Sequence, residues 1–123
     1  MDTFSKKLRL KKQLVTIIND TEYDLDYSLD AYLKVFDNVI DDILSLNPDE
    51  VDMRVIEDEI YFTILKDNYK INTIYFLCEN GCYYNIFTKD GEYVSSRYMN
   101  SEAKNYKFTN FKNIFNIISS HFE

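Results

Sequence analysis

Two cysteines and one histidine are the first candidates for chemistry in this chain. Cys78 and Cys82 flank the dipeptide Asn80-Gly81, and His121 lies near the end of the sequence. A structural zinc site needs four ligands, which one Cys-x3-Cys pair and a distant histidine do not supply. If Glu79 pairs with Cys82 across a two-residue turn, Cys78 points to the other face of the sheet, which disfavours a disulfide. We therefore expect two reduced thiols in a reducing cytoplasm and no Cys–His nucleophile pair.

Carboxylates at alternate positions are a second candidate, in this case for calcium. Four of them have the spacing of the first ligands of an EF-hand loop: Asp20, Glu22, Asp24 and Asp26. Leu25 occupies the sixth position, where that loop requires glycine. Ala31 occupies the twelfth, where a bidentate glutamate belongs. The pattern therefore does not predict a calcium site.

Acidic residues elsewhere could hold a metal for hydrolysis. Pro48-Asp49 with Glu102-x-Lys104 resembles the acid-plus-lysine set of metal-dependent nucleases, but Glu102 and Lys104 fall in a predicted loop. The triplet at residues 57–59 is acidic throughout, but neighbouring side chains of an extended chain point to opposite sides. Both glycines fall in predicted hairpin turns, which leaves no phosphate-binding loop. We expect no cofactor, no metal and no enzymatic activity, and keep a small metal-dependent enzyme as an alternative.

Two amphipathic helices are predicted before the first strand. Residues 3–19 place lysines between apolar positions, with Thr3 as the expected cap. From Ser28 the apolar residues follow at spacings of four, three, four and four: Leu29, Leu33, Phe36, Ile40 and Leu44. This second helix should end by Asn47, because Pro48 disfavours helical geometry in the residue before it.

After Pro48 the apolar period changes from helical spacing to two, which is typical of strands. The five predicted runs are residues 51–55, 60–65, 71–78, 82–88 and 92–98. Short turns separate them, and Asn80-Gly81 and Asp90-Gly91 favour tight hairpins. A final helix, capped by Thr109, places five apolar residues on one face: Phe111, Ile114, Phe115, Ile118 and Phe122.

This order of elements predicts an α+β fold. An antiparallel β-meander of four or five strands packs against two N-terminal helices and one C-terminal helix, in the order ααβββββα. The 123 residues are 46% hydrophobic and include eleven tyrosines and nine phenylalanines, which excludes disorder for most of the chain. We expect a single domain over residues 1–123, without a signal peptide or a membrane span, in the cytoplasm.

Charge is distributed unevenly along the sequence. Residues 1–19 carry a balance of +4, residues 20–59 a balance of −12, and the whole chain a net charge of −7. Such an acidic chain should not bind nucleic acid directly, because it repels phosphate. Asp30, Lys34, Asp37 and Asp41 fall on the side of the second helix opposite its apolar stripe. These acids either keep the domain soluble or form a surface for a basic protein.

Tyrosines beside carboxylates are typical of protein-binding surfaces, because tyrosine anchors a contact and carboxylates steer a basic partner. The predicted partner-binding residues are Glu22, Tyr23, Asp24, Asp26, Tyr27, Asp30, Asp37 and Asp41. The sequence thus favours a small acidic binding module, most readily an immunity protein or other stoichiometric inhibitor that neutralises a basic toxin or nuclease. It is also compatible with a phage inhibitor of a host defence nuclease and with a structural accessory subunit.

Overall fold

The computed structural model describes residues 2–21, 25, 27–77, 82–99 and 115–122. Two helices come first: α1 (Thr3–Asp20) and α2 (Leu29–Ser45). Five strands follow: β1 (Glu50–Ile56), β2 (Glu59–Lys66), β3 (Tyr69–Phe76), β4 (Cys82–Thr88) and β5 (Tyr93–Met99). A third helix, α3, has its described residues at 115–121. The strands form one antiparallel sheet in the order β1-β2-β3-β4-β5, which confirms the predicted α+β fold and its meander.

Side-chain caps define where the first two helices begin. Ser28 caps α2, as the sequence predicted, with its hydroxyl 3.3 Å from the amide of Ala31. The expected cap of α1 was wrong: Asp2 holds that position, and Thr3 is the first helical residue. The Asp2 carboxylate accepts a hydrogen bond of 2.7 Å from the amide of Ser5, which lowers the pKa of Asp2. A carboxylate is a stronger acceptor than a hydroxyl at the positive end of a helix.

The apolar stripe of α2 forms the centre of the core. Phe36 is fully buried, and its ring lies 6.3 Å from that of Phe62 on β2. Phe62 in turn meets Tyr75 of β3 edge-on at 5.9 Å. Burying a side chain of this size contributes about 1.5 to 3 kcal/mol to stability. The α2 stripe therefore fixes which face of the sheet points inward.

Buried and more exposed residues alternate along the strands, and the buried ones lie on the face that α2 covers. Residues at every second position of β2 and β3, such as Ile64 and Ile71, are buried and lie opposite one another. Two-residue turns join β1 to β2 and β2 to β3, and the first residue of each, Glu57 and Asp67, has φ of 53° and 54°. Glycine favours this left-handed geometry more than either acid does. The turn after β4 does use glycine, at Gly91 with φ of 91°.

The pairing of β3 with β4 differs from the sequence prediction. A two-residue turn at Asn80-Gly81 would place Glu79 opposite Cys82, whereas the structure pairs Cys82 with Tyr75. The observed register matches seven residues of each strand and aligns Ile71 with Ile86 on the buried face. The predicted turn itself, with Cys78, lies outside the described residues.

The helix α3 packs on the same side of the sheet as α2. Ile118 is buried, while Phe115 and Phe122 are half-buried against the core. Phe122 also meets the ring of Tyr69 edge-on at 5.6 Å. The expected cap and first apolar positions of this helix, Thr109, Phe111 and Ile114, lie outside the described residues. Within the described part of the chain, no helix is long and apolar enough to cross a membrane.

Candidate functional site

Two ion pairs join the basic helix α1 to the acidic helix α2. Lys7 Nζ lies 3.1 Å from Asp41 Oδ1, and Lys11 Nζ lies 3.2 Å from Asp37 Oδ1. The earlier lysine of α1 pairs with the later aspartate of α2, and the later lysine with the earlier aspartate, so the two helices run antiparallel. The opposite charges that the sequence separates into two blocks therefore meet inside this chain. Asp37 and Asp41 remain solvent-exposed, with 45% and 68% of each side chain accessible.

Of the other predicted partner-binding residues, the structure describes Asp30 and Tyr27. Asp30 is exposed in the first turn of α2 and makes no ion pair with a described residue. Tyr27 is half-buried and packs against the core. Glu22, Tyr23, Asp24 and Asp26 lie outside the described residues. The structure thus brings Asp37 and Asp41 to lysines of α1 and leaves Asp30 at the start of the helix.

A different surface carries several of the outward-pointing aromatic residues that the structure describes. The face of the sheet opposite the helices is here called the outer face. Its aromatic and aliphatic members are Ile56, Tyr61, Leu65, Ile74, Phe76, Tyr83, Phe87 and Tyr93. They are half-buried or exposed, whereas alternate residues on the helix-facing side of β2–β4 are mostly buried. Among the described residues, no helix packs on the outer face.

A row of hydrogen-bonded polar side chains crosses the middle of the outer face. Thr63 donates a hydrogen bond of 3.2 Å to Asn72 Oδ1, and Asn72 Nδ2 donates one of 2.7 Å to Asn85 Oδ1. Asn85 Nδ2 lies 3.4 Å from the hydroxyl of Tyr83. Thr63, Asn72 and Asn85 lie opposite one another across β2, β3 and β4, and Tyr83 is two residues before Asn85 on β4. Cross-strand hydrogen bonds of this kind restrict side-chain rotation, so this part of the surface is preorganised.

Aromatic contacts flank the polar row on both sides. At one end, the rings of Phe87 and Tyr93 lie 6.2 Å apart, and Tyr93 is 64% exposed. At the other, Arg54 lies over the ring of Tyr61 at 5.4 Å, and the Tyr61 hydroxyl donates a hydrogen bond to Glu59. Partial burial and the Glu59 carboxylate raise the pKa of Tyr61 to about 12. Tyr61 therefore stays a neutral hydrogen-bond donor at physiological pH.

The candidate nucleophile Cys82 is inaccessible. It is buried on the inner face of β4, and burial raises the pKa of its thiol to about 12. His121 lies edge-on to Tyr69 with ring centroids 5.0 Å apart. Tyr69 is six residues along β3 from Tyr75, the partner of Cys82, which corresponds to roughly 20 Å. Cys82 and His121 therefore do not form a catalytic pair.

The candidate metal ligands are not brought together in the described part. Within it, no three His, Cys, Asp or Glu side chains converge as a metal-binding group. Glu57 and Asp58 form the turn between β1 and β2, and Glu59 begins β2. Asp49 instead accepts a hydrogen bond of 3.0 Å from the amide of Asp67 at the β2–β3 turn. Glu102 and Lys104 lie outside the described residues.

The partner-binding residues predicted from the sequence include none of the outer face. The signal was present in β2 and β4, where residues such as Tyr61, Tyr83 and Phe87 occupy the positions between buried ones. Solvated faces of antiparallel sheets usually carry polar residues at these positions. The sequence alone, however, does not show which of two apolar faces the helices cover.

Comparison with known proteins gives no family to which the chain can be assigned. No family model, no curated protein and no solved structure matches it. The outer face and the paired helices α1 and α2 are thus the surfaces from which its function must be inferred.

Proposed function

We propose that this chain is a protein-binding module that recognises a basic protein, and that the partner is a toxin or nuclease which it neutralises stoichiometrically. The observation that carries this proposal is the outer face, with its aromatic residues and no helix over it among the described residues. Exposed aromatic and aliphatic side chains grouped on one face are typical of interaction sites. Tyr93 and Leu65 are its exposed anchors, with 64% and 38% of each residue accessible.

Carboxylates at the margins of the outer face, which Arg54 and Lys70 on the same face only partly offset, favour a basic partner. Asp52 is exposed on β1 and makes no ion pair with a described residue. Glu59 lies at the start of β2, and Glu92 immediately precedes Tyr93 at the other end of the face. Unlike Asp37 and Asp41, these acids are not joined to lysines of α1. They would steer a positively charged protein and repel nucleic acid phosphate.

Neutralisation of a toxin requires only that the binder cover a positive cleft, so it needs no cofactor and no reactive residue in the binder. We place this interaction in the cytoplasm. An immunity protein and a phage inhibitor of a host defence nuclease would use the same surface, and they differ only in the origin of the partner.

Recovery of a partner from the native host tests this proposal. A tagged chain should bring down one basic protein in near-stoichiometric amount, which mass spectrometry identifies. Recovery of further copies of the chain alone, with a defined self-association state in light scattering, would favour the structural accessory subunit. Metal-dependent turnover in an activity panel would favour the small enzyme. Recovery of only acidic or nonspecific proteins would contradict the proposal.

Two exposed leucines provide a matched pair of variants for locating the interface. Leu65 lies on the outer face and Leu8 on α1, and they are 38% and 42% exposed. We expect Leu65→Ser to weaken binding of the recovered partner about tenfold, which corresponds to about 1.4 kcal/mol. Leu8→Ser should leave the affinity unchanged. Equal effects of the two variants in a calorimetric titration would exclude the outer face as the interface.

Two aspartates that make no ion pair with a described residue provide a second test of whether the partner binds the outer face or the helical surface. Asp52→Lys should slow association at low salt if the partner approaches the outer face. Asp30→Lys should slow it if the partner instead approaches the start of α2, as the sequence predicted. Association rates measured at two salt concentrations therefore distinguish the two locations.

A further inference from the structure

A small cavity lies between α2, α3 and the inner face of the sheet. Its volume is about 10 Å³. Ile64, Phe115 and Ile118 contribute apolar walls, but Asp42, Thr73 and Tyr75 also line it. A cavity lined only by apolar groups stays dry, whereas one with two to four polar groups and this volume suits a single water molecule.

The hydroxyl of Thr73 has an unmet hydrogen-bonding requirement. Thr73 is 1% exposed, and its Oγ1 has no hydrogen-bond partner among the described residues. Its cross-strand neighbours on the buried face are Phe62 and Tyr84. Phe62 has no polar atom, and the Tyr84 hydroxyl bonds instead with Ser95 at 3.2 Å. Buried hydroxyls in proteins are generally paired with protein or with ordered water.

The other two polar groups of the cavity lie close to this hydroxyl. Tyr75 is the next inward residue of β3 after Thr73. Tyr75, Thr73 and Asp42 all line this cavity, and burial raises the pKa of Tyr75. Asp42 belongs to α2 and is half-buried. Three oxygen-bearing side chains from two elements therefore meet around one small space.

We propose that this cavity is a binding site for one water molecule, which bridges the Thr73 hydroxyl of β3 to the Asp42 carboxylate of α2 and the Tyr75 hydroxyl. The water accepts from Thr73 or donates to it, and donates to the carboxylate. It thereby satisfies a group that has no partner among the described residues. Phe115 and Ile118 of α3 form one wall of the cavity, and a water bound to the buried Thr73 hydroxyl exchanges slowly with solvent. The inference is independent of the proposed partner.

A crystal structure of the full chain at about 1.5 Å resolution tests the site directly. We expect a density peak within hydrogen-bond distance of Thr73 Oγ1, and the absence of such a peak, where other buried waters are visible, would overturn the proposal. Thr73→Ser retains the hydroxyl and should retain the peak. Thr73→Val keeps the shape but removes the hydroxyl and should lose it. A peak that persists unchanged in Thr73→Val would show that the threonine does not hold the water.

Magnetic relaxation dispersion provides a second measurement in solution. It counts water molecules that remain bound for longer than the protein takes to tumble. We expect the wild type and Thr73→Ser to hold one more such water than Thr73→Val. Equal counts in the wild type and Thr73→Val would contradict the proposal. Because the wild-type crystal structure decides the question by itself, the test does not depend on whether either variant folds.

Discussion

The ion pair between Lys11 and Asp37 allows helix docking to be separated from partner recognition. Lys11 Nζ lies 3.2 Å and 3.4 Å from the two carboxylate oxygens of Asp37, and the side chains are 40% and 45% exposed. An exposed pair of this kind contributes about 0.5 kcal/mol. Asp37→Lys removes that contribution and places a lysine beside Lys11, and also three residues from Lys34 on the same helix. We expect the free energy of unfolding to fall by about 1 kcal/mol in total.

Urea denaturation followed by circular dichroism measures this effect. The set comprises Asp37→Lys, Lys11→Asp and the double variant, in which the two charges are exchanged. The exchange restores an attractive pair, so the double variant should recover to within about 0.5 kcal/mol of the wild type. Asp52→Lys changes the charge equally at an unpaired site and serves as the matched control. Salt near 1 M should reduce the differences, because it screens exposed charges.

Additive effects in the double variant at low salt would refute this reasoning. In that case α1 would be held by its buried residues, Leu10 and Leu14, and the ion pairs would contribute nothing. Asp37 and Asp41 would then be free to meet a partner, as the sequence predicted. A coupling energy of about 0.5 kcal/mol or more would instead mean that reversing these acids weakens the docking of α1 on α2. A binding experiment with such variants would then report this structural change together with any lost contact to the partner.

Three further variants and conditions test other contacts. The buried Tyr32 hydroxyl donates a hydrogen bond of 2.6 Å to the carbonyl of Glu57, so Tyr32→Phe should cost about 1 kcal/mol in urea denaturation, and no loss would contradict that role. Glu57→Gly should raise the free energy of unfolding by about 0.5 kcal/mol, because its φ of 53° suits glycine, whereas the control Asp58→Gly should not raise it. Stability should also fall as pH rises from about 9 to about 12, because the unfolded chain releases the Cys82 and Tyr61 protons near their ordinary pKa values, while the folded chain keeps both until about 12. Cys82→Ala should flatten this decline, and an identical slope in that variant would show that another group causes it.

Local patterns were sufficient to predict the elements of this fold. The apolar spacing from Leu29 to Leu44 predicts α2, and Pro48 marks the point before which it must end. The change to a period of two after Pro48 predicts the strands. Each signal involves neighbours within a few residues, where periodicity decides which side chains are buried together.

The pairing of β3 with β4 depended on more distant contacts. A two-residue turn at Asn80-Gly81 is favourable locally and would also pair seven residues, 73–79, with β4, but it would place the carboxylate of Glu79 opposite Cys82 on the buried face. The observed register pairs residues from Tyr69 to Tyr75 and places Ile71 opposite Ile86. Apolar pairing on the buried face therefore outweighs the preference of one dipeptide.

The charge that the candidate surface presents also depends on contacts between residues that are distant in the sequence. Lys11 and Asp37 are 26 positions apart, and nothing in the local pattern shows that they meet. A carboxylate that attracts a basic partner also attracts the basic helix of its own chain, which is tethered nearby. The acids on α2 that α1 reaches are thus partly neutralised before any partner arrives. Asp52 and Glu59 lie on the opposite side of the sheet from α1, so their charge remains available, and they lie beside the exposed aromatic residues that a partner would cover.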